Sequence, residues 1–142
     1  MASTSASSQP NTLYQLCKDF GLTLRNLQIC CIWCKNHLTS AEAYAYHFKD
    51  LHVVWKKGFP YAACAFCLEF YSKVCALRHY DRSAFWHTVE KETGLLLEEQ
   101  IIRCSICQKP LSPSEKDHHI YNGRHFRFIL NRWTGRCTQC RE

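Results

Sequence analysis

Four C-x2-C pairs constrain this chain more than any other feature: Cys31 with Cys34, Cys64 with Cys67, Cys104 with Cys107, and Cys137 with Cys140. The first two pairs are separated by 29 residues, as are the last two, and the middle gap is 36. Subtracting 31 from 104, or 64 from 137, gives 73 both times, so the chain reads as an internal duplication. A C-x2-C pair places two thiolates on one knuckle turn, and two pairs complete a closed tetrahedral zinc site. Eight cysteines thus imply two structural Zn2+ ions. A redox reading expects one C-x-x-C per βαβ unit, not four at repeating spacing.

The remaining cysteines fit the same picture. There are 11 in all, an odd number that disulfides alone cannot satisfy. Residues 1–10 lack the basic start and apolar core of a secretory signal. No apolar run reaches the roughly 18–20 residues that span a bilayer. The expected compartment is therefore cytosol or nucleus, where thiols stay reduced and clustered cysteines serve as ligands. Cys17, Cys30 and Cys75 fall outside the pattern and read as packed thiols, with Cys30 placed beside a ligand. Zinc also corrects the charge. The formal balance of +6 becomes +2 once eight thiolates and two Zn2+ are counted, which weakens a nucleic-acid reading based on charge.

The fold class expected is α/β (α+β): two duplicated small zinc domains, four cysteine ligands each, joined by a long linker helix. Residues 1–11 read as a disordered tail, 12–67 as the first zinc domain and 68–103 as the helical linker. Residues 104–140 form the second zinc domain, and 141–142 the C-terminal end. Thr12 and Gln15 have capping-box spacing and open a short helix that Gly21 ends. Thr39 with Glu42, and Ser112 with Glu115, repeat that spacing after the first knuckle of each half, and Pro113 suits the first helical position. Strand-like runs follow at Leu51 to Trp55 and Phe126 to Leu130. Leu68 to Tyr80 has helical periodicity on two faces, one carrying Leu68, Tyr71, Cys75 and Arg78. Residues 83–100 read as a weaker helical stretch. His118 and His119 are adjacent, cannot both point the same way from a helix, and read as polar surface.

Local runs carry a resemblance. They are Phe59-Pro60-Tyr61-Ala62, Phe70-Tyr71-Ser72-Lys73, Arg78-His79-Tyr80, Cys107-Gln108-Lys109-Pro110-Leu111 and Arg132-Trp133-Thr134-Gly135-Arg136-Cys137. With the zinc spacing, they make residues 12–140 resemble early protein six of the papillomaviruses, nearer the mucosal members. The resemblance implies a viral adaptor of host nucleus and cytoplasm, not an enzyme. Such an adaptor captures acidic LxxLL helices in a cleft between its zinc domains. For mucosal members the partner implied is a cellular HECT-type ubiquitin ligase, which is then turned on other host proteins. The p-fifty-three tumour suppressor is one of these, held in a ternary complex. Cutaneous members favour a Mastermind-type Notch co-activator instead. The positions matching the peptide pocket are Ile32, Leu51, Val54, Ala63, Leu68, Tyr71, Ser72, Cys75 and Arg78, with Arg103 and Arg132 gripping polar and acidic groups. Asp19, Tyr44, Phe48, Asp50 and Leu111 match tumour-suppressor contacts, and Phe48 also matches a position of weak self-association. The sequence ends at Gln139-Cys140-Arg141-Glu142 without a Ser/Thr-x-Val/Leu terminus, so no PDZ partner is expected.

Three other classes compete with the adaptor. C2H2 fingers use about twelve residues between ligand pairs and a basic helix. Here the loops hold 29 residues, and the helix near Glu42 is aromatic. Weak, sequence-blind nucleic-acid binding through Arg124, Arg127, Arg132 and Arg136 remains open. Catalytic zinc keeps an open position, which four thiolates deny it. A cross-braced ubiquitin ligase interleaves its ligand pairs, whereas the duplication argues for pairing within each half.

Overall fold

Residues 9–141 are described by the structure, a computed structural model. They are α+β and divide into two units, one ending at Cys67 and the other beginning at Leu68. No helix among the described residues is long and apolar enough to cross a membrane.

In the first unit, α1 (Leu13–Phe20) starts where Thr12 Oγ1 accepts from the Gln15 backbone N–H at 3.1 Å. The reciprocal half of the expected capping box does not form, because the Gln15 side chain donates to Asp19 instead. Gly21 takes the left-handed conformation, φ 67°, that ends a helix cheaply. Strand β1 (Cys30–Cys31) leads into the first knuckle, and α2 (Ser40–Phe48) follows it with a complete Thr39/Glu42 capping box. Strands β2 (Val54–Lys56) and β3 (Phe59–Ala62) form a hairpin. Lys57 and Gly58 both have positive φ, as a type I′ turn requires. The sheet order is β1-β3-β2, with β1 parallel to β3. Leu13, Leu16, Ile29, Leu38, Tyr46 and Val53 are buried. Residues 1–8 of the expected tail lie outside the described residues. Pro10 and Asn11, also assigned to that tail, are fastened: the Trp55 indole N–H donates to Pro10 O at 2.8 Å, and the Val53 N–H to Asn11 O at 2.7 Å.

Helix α3 (Ala65–His79) starts three residues before the expected Leu68, because the ligand Cys67 sits in its first turn. The expected helical stretch at 83–100 is only partly helical. Strand β4 (Tyr80–Ala84) precedes α4 (Trp86–Thr93), and a 3-10 turn spans Leu97–Glu99. Segment 68–103 thus belongs to the second unit and supplies it with a strand. Strand β5 (Arg103–Cys104), helix α5 (Pro113–Tyr121) and the hairpin β6 (Phe126–Ile129) and β7 (Arg132–Gly135) complete the unit. The sheet order is β4-β6-β7-β5. Its core contains Val89, Leu97, Ile102, Leu111, Phe126 and Trp133.

The 73-residue period holds in the backbone. Residues with positive φ recur at Lys35 and Gln108, Asp50 and Gly123, Lys57 and Leu130, and Gly58 and Asn131. The β-bridges Cys30 to His37 and Arg103 to Pro110 repeat at the same offset. One substitution within the repeat is informative. Ala62 is matched by Gly135, where an added Cβ would stand 2.8 Å from Leu111 Cδ1 and 2.9 Å from His119 Nε2. Gly135→Ala is expected to destabilise the zinc-loaded second unit by about 1–3 kcal/mol, the usual cost of overpacking. Denaturant titration alongside Ala62→Gly, which adds no atom, is the check; equal midpoints for Gly135→Ala and the parent protein would refute the crowding.

Candidate metal centres and binding surfaces

Each knuckle is shaped by its own backbone. The Lys35 N–H returns to Cys31 O at 3.0 Å and the Gln108 N–H to Cys104 O at 3.1 Å. Both turning residues sit at positive φ, 66° and 64°. The knuckles are tied to the hairpins by Ile32 N–H to Ala62 O and Ser105 N–H to Gly135 O. Cys31, Cys34, Cys64 and Cys67 thus converge, as do Cys104, Cys107, Cys137 and Cys140, each set with its sulfurs within 4.8 Å of one another. With zinc–sulfur bonds of about 2.3 Å, a tetrahedron has edges of about 3.8 Å. Cys34 and Cys64 are 3.8 Å apart, and Cys107 and Cys137 are 3.7 Å apart. The donor set and its dimensions fit zinc, and the protein carries two structural zinc sites.

Electrostatics explains why these clusters want a cation. The hydrogen bond from Cys107, aided by backbone N–H groups and opposed by burial, brings the Cys104 thiol down to about 4. Burial raises Cys31, but backbone N–H groups outweigh it and bring it down to about 6. In the same clusters, burial and the neighbouring thiols push Cys67 and Cys140 up to about 12. One thiolate forms readily, and its charge resists the others until a metal ion neutralises them.

A second tie was only half visible in the sequence. Glu42 and Glu115 close their capping boxes with one carboxylate oxygen. The other oxygen of Glu42 accepts the Ala65 N–H at 3.1 Å, and that of Glu115 accepts the Thr138 N–H at 2.7 Å. Ala65 and Thr138 each follow the first ligand of the second knuckle, so each glutamate joins a helix start to that knuckle. Glu115 also takes Lys109 Nζ at 3.1 Å. Burial pushes its carboxyl up, but the donors from Ser112, Thr138 and Lys109 outweigh burial and hold it at about 2. The 73-residue offset applied to the glutamates and the knuckles together is the signal that could have revealed this link.

His119 corrects the polar-surface expectation. It is 2% exposed, stacks on Phe126 at 4.2 Å, and accepts the Arg136 N–H on Nε2 at 3.1 Å. Burial lowers its pKa. Gly135 leaves the space that its ring occupies. Lys116, which sequence reading missed, is also buried and donates to Leu97 O and Gln100 O, both at 2.7 Å.

The expected peptide-pocket residues are placed as follows. In the first unit Val54 is exposed, Ile32 and Leu51 are half-buried, and Ala63 is buried. In the second, Tyr71 and Arg78 are exposed and Leu68 and Cys75 half-buried, while Ser72 is buried and accepts Gln108 Nε2 at 3.0 Å. Arg103 and Arg132 both line one cavity of about 550 Å³, together with Glu92, Gln100, Gln108 and Trp133. Arg103 Nη1 donates to Gln108 O at 2.8 Å, which fixes the guanidinium at the wall. Of the expected tumour-suppressor contacts, Asp19, Tyr44, Phe48 and Asp50 are exposed, and Tyr44 and Phe48 stack at 6.3 Å. Leu111 is 6% exposed and belongs to the second unit's core.

The fold and the two thiolate clusters define a small two-zinc protein built by duplication. The chain belongs to the papillomavirus E6 family, whose model, Early Protein (E6), matches residues 31–140. Protein E6 of Human papillomavirus type 32 is 98% identical over 142 residues, covering all of both chains. Protein E6 of Human papillomavirus 42 is 79% identical over 141 residues, covering 99% of this chain and 94% of that one. Protein E6 of Human papillomavirus 11 is 46% identical over 140 residues, with 99% and 93% covered. Among solved structures, the C-terminal zinc-binding domain of HPV51 oncoprotein E6 is similar at 41% identity with a TM-score of 0.40, covering 42% of this chain and 78% of that one.

Replacing Cys31 or Cys104 by serine is expected to lower metal content from two zinc ions per chain to about one, read by a chromogenic chelator after thiol blocking. A variant that keeps both ions would refute the ligand assignment. Glu115→Ala is expected to cost about 1–3 kcal/mol, the usual range for leaving buried donors unpaired. Glu42→Ala, at the half-buried counterpart, is expected to cost less; the reverse order in thermal melts would count against the buried tie.

Proposed function

We propose that the protein is a viral adaptor that captures acidic LxxLL helices of host proteins, chiefly a HECT-type ubiquitin ligase, and redirects ubiquitin-dependent degradation. The observation that carries this reading is the cavity of about 550 Å³ in the second unit, with Arg103 and Arg132 on its wall. Arginines at the edge of an open cavity select carboxylates and fix peptide direction. The apolar side chains that a helix-in-groove mode needs are present on the first unit at Ile32, Leu51 and Val54, and on α3 at Leu68 and Tyr71. The exposure of Asp19, Tyr44, Phe48 and Asp50 favours a further host protein, the tumour suppressor among them, as the redirected target. Both thiolate clusters are closed, four-cysteine sites, which favours an adaptor over a catalyst. The reading places the protein in host nucleus and cytoplasm.

Titrating the zinc-loaded protein into a labelled acidic LxxLL peptide from the ligase tests it, with a Mastermind-type peptide as competitor. Saturable binding is expected. Arg132→Ala should weaken it by roughly tenfold, about 1.4 kcal/mol, and Leu51→Glu by more. No binding by a folded sample carrying both zinc ions would sink the proposal. Stronger binding of the competitor would reverse the partner assignment.

A further inference from the structure

The second unit has another groove, of about 300 Å³, which the LxxLL reading does not use. Its lining combines the aliphatic side chains of Ala76, Leu77 and Ile106 with Ser105 and the cations of Lys73, Arg127 and Arg136, with no carboxylate among them. Leu77 is 86% exposed and so is open to a partner. Lys73 and Leu77 lie four residues apart on α3 and share a face. At about 100° per residue, that face is turned from Tyr71 and Arg78 by about a third of a turn.

The three cations come from separate elements and are held in different ways. Lys73 sits on α3 and has a surface partner in Glu69 at 3.3 Å. Arg127 sits on β6 with its guanidinium 4.9 Å from the centre of the Tyr80 ring. Arg136 follows β7 and donates through Nη1 to Cys140 O at 3.1 Å. Arg127 and Arg136 are therefore fixed in direction without being neutralised by an acid in these contacts. A groove that sets aliphatic side chains among cations is complementary to an aliphatic side chain flanked by carboxylates.

We propose that this groove docks an acidic segment of another protein, with one aliphatic side chain seated against Leu77 and Ile106 and flanking carboxylates on Lys73, Arg127 and Arg136. A cavity of this size is at the small end for a ligand pocket and suits one or two side chains rather than a whole ligand. Single-stranded nucleic acid fits it less well, because stacking on aromatic rings anchors bases and none lines the groove. This docking is separate from LxxLL capture, so an adaptor could hold two acidic partners on different faces.

The test uses the zinc-loaded full chain, isotopically labelled, and a short peptide carrying one leucine flanked on both sides by glutamates. A single leucine cannot satisfy an LxxLL site. Saturable amide shifts are expected at Lys73, Leu77, Ile106 and Arg127. Leu77→Glu and Lys73→Glu, both at exposed positions, should each weaken binding by roughly tenfold, as should replacing the peptide's glutamates by glutamine. Leu51→Glu should leave it unchanged. The proposal is overturned if those amides do not shift, or if both groove variants bind as the parent does. Tighter binding of oligothymidylate at the same amides would overturn it in favour of nucleic acid.

Discussion

Everything in each unit depends on closing one long loop with a metal ion. Ligand pairs that start at residues 31 and 64, or at 104 and 137, are 33 positions apart. Closing such a loop costs entropy before any packing compensates it. Four thiolates on one ion supply that closure in a single step, with binding free energy on the order of 10 kcal/mol for structural zinc. The glutamate at each helix start then works in the same direction. By accepting backbone N–H groups from both its own cap and the second knuckle, it fixes the helix relative to the metal. Charge enforces the order of events: the clusters are poor holders of several thiolates without a cation, and good ones with it.

Duplication lets the two halves be compared as a natural experiment. Ile29 and Ile102, Leu38 and Leu111, and Val53 and Phe126 are buried at equivalent positions. Differences come in compensating sets. Tyr46 is matched by His119 and Ala62 by Gly135, so the second unit exchanges a methyl group for room beside an imidazole. Ala43 is matched by Lys116, a buried cation that burial alone would disfavour. Lys116 is tolerated because the segment before β5 offers it the Leu97 and Gln100 carbonyls. The second unit has room for polar groups inside because α4 and the 3-10 turn supply apolar cover, through Val89 and Leu97, and those carbonyls.

The parts of this fold that were legible in the sequence are those set by residue type at fixed spacing. The eight ligands, the Thr39/Glu42 and Ser112/Glu115 boxes, Gly21 and the β6 run all belong here. What escaped depends on partners distant in the chain. Strand β4 is a strand because Tyr80 to Ala84 pair with Phe126 to Ile129, more than forty residues on, and nothing local in Tyr80-Asp81-Arg82-Ser83 announces it. His119 is buried because position 135 is glycine. Arg103 and Arg132 were named through the family resemblance alone, and the pairing of β5 with β7 is what puts them on one cavity. The second role of Glu42 and Glu115 escaped for the same reason, since a capping box accounts for only one of the two carboxylate oxygens.

The interior of each unit is therefore committed to metal, caps and a small core, and function falls to the surface. That accounts for an exposure pattern that would otherwise be wasteful. Tyr14, Phe48, Phe66 and Leu77 are all more than half exposed. Helix α3 is the clearest case. Its buried edge carries Ser72, bound to Gln108, while Tyr71 and Leu77 lie on separate exposed faces. A helix that buries only one narrow edge depends on its anchored ends for order. Cys67 supplies that anchor at the N-terminal end through the metal, and Tyr80, pairing with Ile129 at the start of β4, supplies it at the other. With both ends fixed, the middle of α3 can expose side chains of two kinds, Tyr71 with Arg78 on one face and Lys73 with Leu77 on the other.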